Sequence, residues 1–240
     1  SNGVLAVCWA LGNSGLRPRC ARDVVAEKQI EFVGEAFEIV LTNGQRHAAS
    51  ALSTAGPARL RRLRPNPKAA RLAARIPGRQ VEVPLRSADG MLRVIWRALL
   101  HDGANYLRQE VEVTAVGRDC PIQEILWLNQ AMPGAQVAGQ VDGSPVVAGT
   151  FFLGGEDPHA LNQTRPPSQE ADPSPAVVCR IPRNAVLRRG ESLTQGFVLG
   201  VAPAGQMRRD LLRYLERERA HPYRPYLHYN SWYDTAWEPF

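Results

Sequence analysis

The most constraining feature of this sequence is an alternation of apolar and polar residues that recurs over its first 200 positions. Phe37, Ile39 and Leu41 alternate with Glu38 and Thr42, with Val40 the one interruption. Val81, Val83 and Leu85 alternate with Glu82 and Pro84, and Leu92, Val94, Trp96, Ala98 and Leu100 share a face opposite Arg93 and Arg97. Leu107, Val111, Val113 and Ala115 face away from Arg108, Glu110, Glu112 and Thr114, and Leu193, Phe197, Leu199 and Val201 repeat the pattern. Side chains of a strand point alternately to its two faces, so such runs predict antiparallel sheets with one buried and one wetted surface. Asn43-Gly44, Asp89-Gly90, Asp102-Gly103 and Asp142-Gly143 punctuate them. These pairs suit hairpin turns because both residues tolerate positive φ. Leu92 to Ala115 reads as one hairpin, and the whole as a large antiparallel β-sandwich.

Two stretches depart from the alternation. Ala58 to Arg75 carries Arg59, Arg61, Arg62, Arg64, Lys68, Arg71 and Arg75 without an acid, and Pro65 and Pro67 exclude one continuous helix. It reads as a solvated strand edge, then a loop and a short helical turn; an arm for nucleic acid is the alternative, although no aromatic residues interleave for base stacking. His159 to Pro175, rich in Pro, Gln, Ser and Asp, reads as a long surface loop. It contains the glycosylation sequon Asn162-Gln163-Thr164, a tripeptide common by chance.

After Pro203 the period changes. Met207, Leu211, Tyr214 and Leu215 fall on one face of a helix predicted from Ala204 to Arg219, with Pro203 suited to its first turn and Pro222 beyond its end. Composition narrows the function classes. The chain's net charge of +6 is carried almost wholly by arginine, a bias that points to no nucleic-acid partner unless the charge gathers on one face. The longest early apolar run, Val4 to Leu11, is too short to span a membrane and lacks a basic flank and cleavage site. Cys8, Cys20, Cys120 and Cys179 form no CxxC pair and have no histidine at zinc-ligand spacing, so neither metal nor cofactor is implied. Cys179 sits among inward positions of a strand pattern. Cys8 and Cys20 can be bridged if their segments pair as a hairpin. No phosphate loop, GxSxG elbow or HExxH occurs. Glu110 and Glu112 read as a solvated face, Glu124, Glu156 and Asp157 have no recognisable partner, and His228 reads as structural.

The C-terminal end differs in kind. Seven of the seventeen aromatic residues lie between His221 and Phe240: Tyr223, Tyr226, Tyr229, Trp232, Tyr233, Trp237 and Phe240. Aromatic rings stack on the flat C–H faces of sugars, while Asp and Asn hydrogen-bond the hydroxyls. Asn230-Ser231-Trp232-Tyr233-Asp234 supplies both kinds of group; core packing is the plainer use of such a cluster.

Pro225-Tyr226-Leu227-His228-Tyr229-Asn230-Ser231-Trp232-Tyr233-Asp234 resembles the first barrel strand of α-galactosidase and melibiase-type glycoside hydrolases, whose Asn-Ser-Trp motif ends that strand. Gln140 to Gly149 and Phe151 to Gly154 also look like the sandwich of that group. The resemblance implies a β-sandwich over residues 1–202, a linker helix over 203–222 and the first strand of a truncated (β/α)8 barrel over 223–240. It implies that Trp232 is a stacking wall, Asp234 a hydroxyl-binding carboxylate and Asn230 their support. It places the nucleophile and the acid/base on aspartates of later strands, which this sequence does not include, so the expectation is an inactive portion of a glycosidase. The implied partner is an α-linked galactoside-type glycan, and sandwiches of this group can join copies into a homo-oligomer. The alternative function is a stand-alone carbohydrate-binding module whose sandwich itself holds the glycan.

Overall fold

The computed structural model describes residues 1–12, 15–166, 176–225 and 227. The strands, in chain order, are β1 (Leu5–Gly12), β2 (Gly15–Asp23), β3 (Lys28–Glu31), β4 (Glu38–Leu41), β5 (Arg46–Ala48), β6 (Ser53–Thr54), β7 (Arg59–Leu63), β8 (Gly78–Arg86) and β9 (Leu92–His101). They continue as β10 (Tyr106–Ala115), β11 (Cys120–Ala131), β12 (Gln136–Val137), β13 (Val146–Ala148), β14 (Phe151–Gly155), β15 (Leu161–Arg165), β16 (Ala176–Leu187) and β17 (Ser192–Val201). One α-helix follows, α1 (Met207–Glu218).

Every ladder is antiparallel, as the alternation predicts. A nine-stranded sheet runs β12-β13-β14-β17-β10-β9-β8-β6, with β7 also on β8. It faces a five-stranded sheet, β15-β16-β11-β4-β5, and a three-stranded sheet β1-β2-β3 completes the layers. The Leu92–Ala115 hairpin forms as expected, with Val111 opposite Trp96 and Val113 opposite Val94. Gly90 and Gly103, the turn glycines on either side of β9, adopt φ of +69° and +62°, backbone that other residues reach only at a cost.

The core lies between the sheets. Leu92, Val94, Trp96, Val111, Val113, Leu199 and Val201 from the large sheet share one buried cluster with Ile39, Ile122, Ile125 and Ile181 from the smaller one. Trp127 of β11 stacks on Phe197 of β17 across the layers, with ring centroids 5.5 Å apart and planes 18° from parallel. Trp9 of the three-stranded sheet meets Trp96 edge-on at 5.0 Å, which ties that sheet to the same core. Cys179 is buried on its inward position, opposite Leu128.

Several details sharpen or correct the sequence reading. Ala58–Arg75 is an exposed strand, β7, then a loop and a single 3-10 turn at Ala73–Arg75. The segment read as one long loop after His159 instead contains β15, which pairs with β16. Asn162, the sequon residue, is buried there: its side chain accepts from the Gly155 N–H at 3.1 Å and donates to the Ser144 carbonyl at 3.0 Å. A side chain spent in this way is not a free glycan acceptor. The helix starts at Met207, three residues after the predicted Ala204, because Pro203–Gln206 closes a separate turn (Gln206 N–H to Pro203 carbonyl, 2.9 Å).

Candidate functional site

The residues that the sequence nominates for sugar binding, Asn230, Trp232 and Asp234, lie outside the described residues, as does the rest of the expected barrel start at 223–240 except Tyr223, Arg224, Pro225 and Leu227. Among the described residues, a connected network of partly buried charges lies where α1 meets the outer face of the nine-stranded sheet.

That seat is built from residues two apart. On β10, Tyr106, Arg108, Glu110 and Glu112 share the face turned away from the core. On β17 the same face carries Gly196, Val198 and Gly200. The two glycines leave a trough. A Cβ on Gly200 would run into the ring of Phe152, its partner on β14, and one on Gly196 would strike the Glu156 carboxylate. The helix lays Met207, Leu211 and Tyr214 into this trough against Ala104, Tyr106, Phe152 and Val198. Tyr106 and Tyr214 meet edge to face at 5.0 Å, a favoured aromatic geometry.

Arg108 is the centre of the polar half. Its Nε donates to both carboxylate oxygens of Glu156, at 2.7 and 2.9 Å, and its Nη1 lies 3.2 Å from Glu218 on the helix. The Tyr214 hydroxyl donates to Glu156 at 2.6 Å, and the Tyr106 hydroxyl to Glu218 at 2.7 Å. Two carboxylates, one guanidinium and two phenols thus close a network that joins β10, the end of β14 and α1. Burial works to lower the pKa of Arg108, but its hydrogen bonds to Glu156 and the charges of Glu156, Glu218 and Glu110 outweigh this and hold it above the usual range. Tyr214 and Tyr106 are pushed well above ordinary phenols, first by burial and then by the Glu156 and Glu218 charges respectively. All three therefore keep their protons at neutral pH.

Beside the network opens a cavity of about 670 Å³, lined by Arg71, Arg108, Glu156, Tyr214, Glu218 and Arg219 among others. Four carboxylates line it: Glu156 and Glu218 are each engaged by Arg108 and a tyrosine hydroxyl, Asp157 accepts from the His159 N–H at 2.8 Å, and Asp142 is the fourth. For Glu156 and Glu218 the arrangement is a clamp that ties α1 to the sheet. Glu110 and Glu112, read from sequence as a solvated face, are half-buried and paired: Glu110 with Arg108 at 3.5 Å and Glu112 with Arg97 at 2.9 Å. Glu156, which has no partner by sequence, has two. One signal was available: Glu218 lies four residues after Tyr214 and falls on the helix's sheet-facing stripe, an unusual place for an acid. No group of three or more His, Cys, Asp or Glu residues that could hold a metal occurs among the described residues, and no helix there is long and apolar enough to cross a membrane.

By fold the described residues form a mostly-β protein of stacked antiparallel sheets, with one α-helix among them seated on the outer face. No family model matches its sequence, and no curated protein does. Solved structures do match. The GH36 α-galactosidase AgaB from Geobacillus stearothermophilus is 13% identical over 83% of this chain, with a TM-score of 0.47. The GH36 α-galactosidase AgaA of the same organism is 12% identical over 84%, with a TM-score of 0.48. The galactosidase domain of the α-galactosidase-sucrose kinase AgaSK is 8% identical over 84%, with a TM-score of 0.49. The likeness falls on the N-terminal part of such enzymes, and this chain spans about 40% of their length.

Proposed function

We propose that residues 1–240 are the non-catalytic sandwich and linker of a glycoside hydrolase acting on α-galactoside-type glycans, without turnover of their own. The supporting observation is the junction at the C-terminal end: α1 is clamped to the sandwich through Arg108, and the Asn230–Asp234 string follows shortly after it in sequence. In this reading 1–202 is the sandwich, 203–222 the linker and 223–240 the start of a catalytic barrel. A rigidly seated helix fixes where the next strand departs. Trp232 then stacks on a sugar face, Asp234 accepts from its hydroxyls and Asn230 holds both in place. The nucleophile and the acid/base, which retaining chemistry needs about 5–5.5 Å apart, come from elsewhere in the enzyme.

The test uses the pure 240-residue chain with a nitrophenyl α-galactoside and, separately, calorimetry with raffinose. The expected result is no hydrolysis. Hydrolysis abolished by Asp234→Ala would overturn the reading. Raffinose binding that survives Trp232→Ala and Asp234→Ala would move the glycan site to the sandwich and favour a stand-alone carbohydrate-binding module.

A further inference from the structure

Cys8 and Cys20 stand directly opposite each other on β1 and β2, so the hairpin on which a bridge depends does form. Both are free thiols, Cys8 exposed and Cys20 half-buried, on the face of the three-stranded sheet that points away from Val7 and Trp9. Residues directly opposed on antiparallel strands have Cα atoms about 4.5–5.5 Å apart, inside the range of about 4.4–6.8 Å that a disulfide spans. Burial, then the neighbouring Cys8 thiol, then the charge of Glu31 push the Cys20 thiol up to about 11. Cys120 and Cys179 lie buried on β11 and β16, opposite Leu187 and Leu128, and share in nothing comparable.

We infer that Cys8 and Cys20 form a dithiol modification site, which a low-molecular-weight disulfide oxidises to an intramolecular cross-strand bridge. The Cys8 thiolate attacks one sulfur of the small disulfide and expels its first thiolate, leaving a mixed disulfide on Cys8. Cys20 loses its proton and attacks the Cys8 sulfur, forming the protein S–S bond and expelling the second thiolate. Two protein thiols lose two electrons and two protons; the small disulfide gains them as two thiols. Cys8 is the entry point because it is exposed. Cys20 is protonated near neutrality and sets the pace, so alkaline pH accelerates closure. The groups facing it are Cys8 on β1, Arg22 beside it on β2 and Glu31 on β3. The bridge locks the turn between β1 and β2 and, through Trp9 against Trp96, pins the small sheet to the core.

The experiment treats the native chain with oxidised glutathione in mildly alkaline buffer. The expected product has lost two hydrogens, carries no glutathione, and yields the tryptic peptide of Cys8 linked to that of Cys20. Its melting temperature rises by roughly 5–10 °C, from the closure of a loop of this length in the unfolded chain. Cys20→Ser should instead retain glutathione on Cys8 and show no rise. As a second measure, a trivalent phenylarsenical, which bridges two adjacent thiols, should bind the reduced wild-type chain once and Cys8→Ser not at all. Separate glutathione adducts on both cysteines, disulfide-linked dimers through Cys8, or no arsenical binding by the native chain would overturn the inference.

Discussion

On its inner face the nine-stranded sheet presents Val94, Trp96, Val111, Val113 and Phe197, and it is held there by area and shape. On its outer face the same strands present Tyr106, Arg108, Glu112, Val198 and two glycines, and they hold α1 with a small apolar patch and one ion network. The two faces differ in how they fail. A buried apolar layer loses stability in proportion to what is removed. A partly buried ion network depends on completeness, since deleting one member strands the others without a partner.

The largest expected effect is on the inner side. Trp127→Ala removes the stack on Phe197 and should cost about 3–5 kcal/mol in global unfolding by denaturant. Arg108→Ala comes next, at roughly 2–4 kcal/mol, since Glu156 and Glu218 are left facing each other's charge. Its signature should be local: hydrogen exchange should rise across Met207–Glu218 while β9 and β10 stay protected. If protection is lost in both together, the two faces are one cooperative unit and the contrast fails. Tyr214→Phe keeps the ring and removes only the hydrogen bond to Glu156, for about 1 kcal/mol.

The smallest effect belongs to the turn between β8 and β9, remote from both faces. Asp89 is held below the usual carboxylate pKa, chiefly by the Ser87 hydroxyl at 2.5 Å and, against the opposing effect of burial, by the Met91 N–H at 3.0 Å. A depressed carboxylate stabilises the fold above its unfolded pKa of about 3.9 and stops doing so as pH falls through the folded value. Asp89→Asn should therefore lower the midpoint slightly at neutral pH, and the difference from wild type should shrink in acid denaturation.

The inner face was legible in the sequence because burial on one side of a strand writes itself as alternation, and Val94-Ile95-Trp96-Arg97-Ala98 can be read without knowing its neighbours. The outer network was not. Arg108 meets Glu156 from 48 positions away, and Tyr106 meets Glu218 from 112, so no local period carries the pairing. Arg108 beside Glu110 looks like a wetted surface until a helix from another part of the chain covers it. β15 was missed for a related reason: Leu161–Arg165 is mostly polar and becomes a strand through its partner β16. For Asn230, Trp232 and Asp234 the sequence remains the source of the assignment, since the described residues stop short of them.

Gly196 and Gly200 have a consequence for how relatives of this chain should be sought. What they contribute is vacancy: one leaves space for a carboxylate and the other for an aromatic ring. A relative that carries a side chain in place of Gly200 has to shrink or displace the Phe152 ring, and one that carries a side chain in place of Gly196 has to swing the Glu156 carboxylate aside. At Gly200 the bare position and the ring are a mould and its casting, a more exacting match than an apolar position where one aliphatic residue readily replaces another.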